Sequence, residues 1–108
     1  MRIQSILGAI AAAAVVSGTA IAAAGVVAVS QQNRAFTVPG VRIVHGQTIH
    51  FSNDDQFRHQ IYVESPTFNA ESDEADPGTS VDIEFPKAGI FQVRCHIHPR
   101  MLLSVDVN

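Results

Sequence analysis

The residues with the most chemistry in this chain lie in one short run, Cys95-His96-Ile97-His98-Pro99-Arg100-Met101, where a thiol, an imidazole and a thioether follow at intervals of three. A single loop of this length wraps a single ion. Thiolate and thioether sulfur suit Cu(I), and imidazole suits both oxidation states of copper. A fourth candidate, His59, is distant in sequence but takes the inward phase of another extended segment. Together His59, Cys95, His98 and Met101 offer two imidazole nitrogens, one thiolate and one weak sulfur donor. That is the ligand type and number of a trigonal copper site with a long axial Met. A pre-folded site that rearranges little between Cu(I) and Cu(II) favours fast electron transfer, so the expected role is a redox carrier.

Strands must position these donors. In Val81-Asp82-Ile83-Glu84-Phe85 apolar and charged residues alternate strictly, so one face is buried and the other wet. Phe91, Val93 and Cys95 share one face while Gln92 and Arg94 share the other, and Leu103, Val105 and Val107 alternate with Ser104, Asp106 and Asn108. Upstream, Ile49 and Phe51 alternate with Thr48 and His50, and Phe57, His59, Ile61 and Val63 fall on one side of an extended chain. Phe36 to Val38 and Val41 to Val44 complete the set. Pro39-Gly40, His45-Gly46, Asn53-Asp54-Asp55, Asp76-Pro77-Gly78 and Pro86 to Gly89 punctuate these segments as turns. About seven short strands with no amphipathic helical stretch argue for an all-β antiparallel sandwich or barrel. The acidic run Glu71 to Asp76 reads as a solvated loop.

The length of 108 residues fits one domain, and a formal charge of −3 gives no positive field to grip phosphates, so nucleic acid is excluded as a partner. From Ile3 to Ser30 no side chain is charged, and the run follows Arg2. This reads as an export signal over residues 1–24, helical in the precursor, with the cut as late as residue 30 or the segment kept as a membrane anchor. Either way the domain of residues 25–108 is placed outside the cytoplasm, in the periplasm or an equivalent compartment. There a single Cys cannot form an internal disulfide, and a bound metal is one reason to keep it.

At this point the sequence resembles the cupredoxins, the type 1 or blue copper proteins, from about Phe36 to the C-terminus. The resemblance is carried by VHGQTIHFSND (Val44 to Asp54), RHQIYV (Arg58 to Val63) and FPKAGIFQVRCHIHPRM (Phe85 to Met101), with the short C-x2-H-x2-M spacing of the amicyanin-like members. It implies an antiparallel Greek-key β-sandwich holding one copper ion. His59 would be the upstream imidazole ligand, Cys95 the thiolate, His98 the downstream imidazole and Met101 the axial thioether. It also implies a monomer whose His98 edge passes electrons to partners of the cytochrome c or dehydrogenase type. Where the family often has Asn after its first His, this chain has Gln60, whose backbone amide remains available to the Cys95 sulfur.

The remaining histidines fit surface positions: His50 faces outward, His45 sits at a Gly turn, and His96 points away from Cys95 by alternation. A copper chaperone, sensor or store would use the same four ligands. An enzyme would need a vacant coordination position and a general base. Met101 fills that position, and the inward faces of the expected strands carry no spare carboxylate.

Overall fold

Alternation of apolar and polar side chains becomes nine strands in the computed structural model, which describes residues 25–108. They are β1 (Val27–Gln32), β2 (Ala35–Phe36), β3 (Gly40–Ile43), β4 (Thr48–Asn53), β5 (Ile61–Val63), β6 (Ala70–Glu71), β7 (Ser80–Glu84), β8 (Gly89–Cys95) and β9 (Leu102–Val107). One sheet has the order β3-β9-β8-β5-β6 and the other β2-β1-β4-β7. The expected export signal over residues 1–24 lies outside the described residues. Among the described residues no helix is long and apolar enough to cross a membrane.

The sandwich is all-β as expected, but its sheets are mixed rather than antiparallel throughout. β9 runs parallel to β3, and β1 parallel to β4. A period-two pattern reports which face is wet and carries no information on strand direction, so alternation could not reveal this. Two strands also went unread. β6 spans only two residues at the start of the acidic run, and β1 occupies the end of the uncharged N-terminal stretch. A cut as late as residue 30 would remove Val27 to Ser30 from β1.

The inward residues of both sheets form one core. Ile49, Phe51, Phe85, Val93, Leu103 and Val105 are fully excluded from solvent. Phe85 and Phe91 meet Phe68 at ring-centroid distances of 5.4 and 5.7 Å, and Phe36 meets Phe51 edge-on at 6.0 Å. Each such side chain contributes roughly 1.5–3 kcal/mol on burial. Cys95 is free, so packing holds the described domain together without a cross-link.

Between β1 and β2 the chain reverses over Asn33 and Arg34, both at φ 56°. Two successive left-handed residues make the tight hairpin turn that matches strand twist. Arg34 has no glycine-like freedom, so a conformation costing about 1–2 kcal/mol must be held by something else. Its amide donates to the buried Asp55 carboxylate at 2.7 Å.

The exposed Asp54 fastens β1 to the end of β4. Ser30 and Ser52 hydroxyls both donate to its Oδ2 and hold its carboxyl below the usual carboxylate range, Ser30 most strongly. A depressed folded-state pKa stabilises the fold above the unfolded value of about 3.9 and is lost as pH falls through the lower folded value. Ser30→Ala is therefore expected to raise the Asp54 pKa in a carboxyl NMR titration and to move the acid-unfolding midpoint to higher pH.

Candidate metal centre

Cys95 is the last residue of β8, and its inward phase with Phe91 and Val93 leaves it 1% exposed. The chain then turns through residues 96–101 before β9 begins at Leu102. Within that loop the Met101 amide donates to the His98 carbonyl at 3.0 Å, closing a turn with Pro99 at its second position. Proline sets the φ that this position needs, so the loop is stiff where it presents His98. The Met101 side chain is buried in the core cluster.

His59 enters from the strand next door. β5 pairs with β8 so that Ile61 lies opposite Cys95, and His59 precedes Ile61 by two residues on the same inward face. Its amide donates to the Ala75 carbonyl at 3.1 Å and its carbonyl accepts from the Ala75 amide at 2.7 Å, so a two-bond bridge pins the backbone that carries the ring. The expected face of Phe57, His59, Ile61 and Val63 holds for the last three. Phe57 is 41% exposed, because the chain bends before His59 and breaks the extended phase.

The structure thus brings together three of the four sequence-derived donors. One ligand atom from each of His59, Cys95 and His98 lies within 4.8 Å of the others. His59 Nδ1 is 3.6 Å from Cys95 Sγ and 3.2 Å from His98 Nδ1. A small transition-metal ion bonds imidazole nitrogen at about 2.0–2.1 Å and thiolate sulfur at about 2.3 Å, so donors sharing one ion stand roughly 3–4 Å apart. The three atoms fit a single ion. Burial, reinforced by His59 and Arg34, holds His98 below the ordinary histidine range. It is therefore neutral, with a lone pair free, at physiological pH.

A carboxylate that the sequence reading missed organises this site. Asp55 is buried, and its Oδ2 lies 3.0 Å from His59 Nε2. Its carboxylate also accepts from the amides of Arg34 at 2.7 Å and Gln56 at 2.8 Å. Burial works against its charge, but these amide hydrogen bonds together with His59 outweigh it and keep Asp55 below the usual carboxylate range. An acceptor at Nε2 places the imidazole proton there, leaving Nδ1 bare toward Cys95 and His98. The expectation of no inward carboxylate is corrected. Asp55 nevertheless sits behind the ring, away from the donor cluster, and offers no base at an open coordination position.

Asn53 holds the loop that carries Asp55. Its Nδ2 donates to the carbonyls of Phe57 at 2.9 Å and Ala75 at 3.0 Å, and its Oδ1 accepts from the Asp55 amide at 3.0 Å. A triplet that reads as turn chemistry is thus the foundation of the site.

Around the thiol, the Gln60 amide donates to Cys95 Sγ at 3.4 Å, as its position suggested. The Gln60 side chain turns toward the acidic segment and donates to the Ser72 carbonyl at 3.2 Å. Its carbonyl accepts from the His96 amide at 2.9 Å, so main chain ties the two ligand segments together. His96 is outside the cluster: it stacks on Tyr62 at 3.9 Å between centroids and pairs with Glu71 at 3.0 Å. His50 is likewise at the surface, paired with Asp82 at 2.6 Å. The acidic run is partly structured, with Glu71 in β6, Ala75 buried against His59, and Glu74 and Asp76 both engaged by Arg58 at 2.9 Å.

The two-sheet β-sandwich has the cupredoxin fold, and its His59-Cys95-His98 cluster, with His98 part-exposed, fits a type 1 copper site. Solved structures share this fold. Amicyanin from Paracoccus versutus superposes with a TM-score of 0.70 at 22% identity, covering 77% of this chain and 81% of that one. A purple cupredoxin from Nitrosopumilus maritimus gives 0.68 at 18% identity, over 76% of this chain and 99% of that one. A copper-containing nitrite reductase from Thermus scotoductus gives 0.69 at 26% identity over 76% of this chain, which spans only 22% of the reductase chain. No family model matches the sequence, and no curated protein matches it.

Proposed function

We propose that this protein is an exported one-electron carrier that holds one copper ion with His59, Cys95 and His98 as strong ligands and Met101 as the weak axial one. The observation that carries the reading is the convergence of three donors at the spacing of one ion, in a site where two of them are fully buried and His98 alone is partly exposed. Bound copper supplies a single electron by cycling between Cu(I) and Cu(II). The chain's residues do the rest. Asp55 and the Ala75 bridge fix the His59 ring, the Gln60 amide steadies the thiolate, and the Pro99 turn holds His98 where its edge meets solvent. Because these supports are backbone and buried groups, the cage needs little rearrangement between the two charge states.

The copper-loaded oxidised protein is expected to show an intense visible sulfur-to-copper absorption that ascorbate bleaches and a mild oxidant restores, with rapid electron self-exchange by NMR line broadening. A colourless copper complex would overturn the reading. Ready surrender of Cu(I) to a chelator, with slow self-exchange, would instead mark a copper chaperone or store.

Met101→Leu separates the axial role from core filling. A thioether at long range contributes weakly, so the variant is expected to keep copper to within about tenfold of the parent affinity. Its potential is expected to rise, because losing an electron-pair donor destabilises the doubly charged Cu(II) more than Cu(I). Complete loss of copper would show that the weak axial role is misassigned, and an unchanged potential would remove Met101 from the ligand set.

A further inference from the structure

His98 reaches the surface between two cationic side chains. A cavity of about 550 Å3 beside it is lined by Asn33, Arg34, Ile97, His98, Pro99 and Arg100. Arg34 lies over the Phe57 ring, its guanidinium carbon 4.8 Å from the centroid, and that ring meets His98 edge-on at 5.8 Å. Among the described residues neither Arg34 nor Arg100 forms an ion pair, whereas Arg42 is paired with Asp106 and Arg58 with Glu74 and Asp76. Asp55, the carboxylate that accepts from the Arg34 amide, is buried and spent on His59 and two amides. Arg34 is also held in a left-handed turn at a conformational cost, which fixes where its charge emerges.

This local charge opposes the whole. The chain carries a net −3, yet the end of the sandwich where the donor cluster meets solvent carries two free positive charges and no exposed acid in the cavity beside His98. Phe57 and Ile97, 41% and 40% exposed, give the same face an apolar centre. An apolar centre with a charged rim is the layout of a protein contact, and a small anion would leave the apolar part uncovered.

We propose that this face docks a redox protein whose own electron-transfer edge is ringed by carboxylates, with Arg34 and Arg100 supplying the cationic half of the contact. This rests on the electron-carrier reading and adds the charge of the partner. Charge pairs at a rim act mainly on association rate, and local charge can steer an encounter that net charge would oppose.

The test measures electron transfer between the copper-loaded full chain and two cytochromes, one with a haem edge ringed by carboxylates and one ringed by lysines. With the carboxylate-ringed partner the second-order rate is expected to fall by about tenfold or more between about 10 mM and about 500 mM salt. Arg34→Gln with Arg100→Gln is expected to lower its low-salt rate by about tenfold while the visible band stays unchanged. The redox-inert anion hexacyanochromate(III) should broaden the amide signals of Arg34 and of Ile97 to Arg100 in the reduced protein. A rate that rises with salt, as a net charge of −3 alone would give, overturns the proposal. So does an unchanged rate in the double variant, or a blank map with the chromium probe. Absence of the visible band sinks the carrier reading itself, which keeps the two failures apart.

Discussion

Replacing Cys95 with Ser is expected to abolish the visible sulfur-to-copper absorption entirely and to weaken copper binding by more than the roughly 10–100-fold that follows loss of an outer-sphere partner. In the proposed site the thiolate is the ligand that would give the colour and the strongest sulfur bond to copper, and a hydroxyl supplies neither. The fold should survive the change. Ser is close in volume, and the Gln60 amide that lies 3.4 Å from Cys95 Sγ can donate to a hydroxyl instead. Burying that hydroxyl with one hydrogen bond made is expected to cost about 1 kcal/mol. Far-UV circular dichroism and urea unfolding of the metal-free variant check the second point, and visible absorption with a competitive copper chelator checks the first. Colour that survives the substitution would mean that the metal is held elsewhere.

How much of this site was legible follows from how local each signal is. Cys95 and His98 lie within four residues, and β8 places the Cys by simple alternation, so sequence alone exposes them, with the proposed axial Met101 three residues further on. His59 was legible because it shares an inward phase with Ile61 and Val63. Asp55 was not, because Asn53-Asp54-Asp55 has the composition of a turn, and nothing in the sequence marks which acid turns inward. The same ambiguity hid β1: Val27, Val29 and the small residues around them fit an export signal as well as a strand, and the strand shows only in its pairing with β4. Strand direction was beyond reach for a related reason, since β3 beside β9 and β1 beside β4 are contacts between distant parts of the chain.

Asp55→Asn is the sharper test of how the cage is built. The three groups that face this carboxylate are all donors: the Arg34 amide, the Gln56 amide and the His59 Nε2 proton. A carboxylate accepts from all of them, but an amide side chain has one oxygen and one NH2, so in either orientation its NH2 must confront a donor. If the NH2 faces His59, the imidazole can relieve the clash only by moving its proton to Nδ1, the atom 3.2 Å from His98 Nδ1 and 3.6 Å from Cys95 Sγ. That tautomer closes the metal position. In that same orientation the Arg34 amide, which shares Oδ2 with His59, loses its acceptor and the Asn33-Arg34 turn its anchor, whereas an NH2 in the Oδ1 place confronts the Gln56 amide and leaves that donor unpaired. Copper affinity is expected to fall by about 10–100-fold, the usual cost of losing the partner that orients a ligating His. Stability of the metal-free protein is expected to fall by about 1–3 kcal/mol for the donor left unsatisfied. Chelator competition measures the first and urea unfolding the second. An 15N-labelled histidine spectrum reads the tautomer directly, a signature that loosened packing alone would not move. Wild-type affinity with the Nε2 proton still in place would show that Asp55 is a structural acid and that the His59 ring is oriented by its backbone bridge to Ala75.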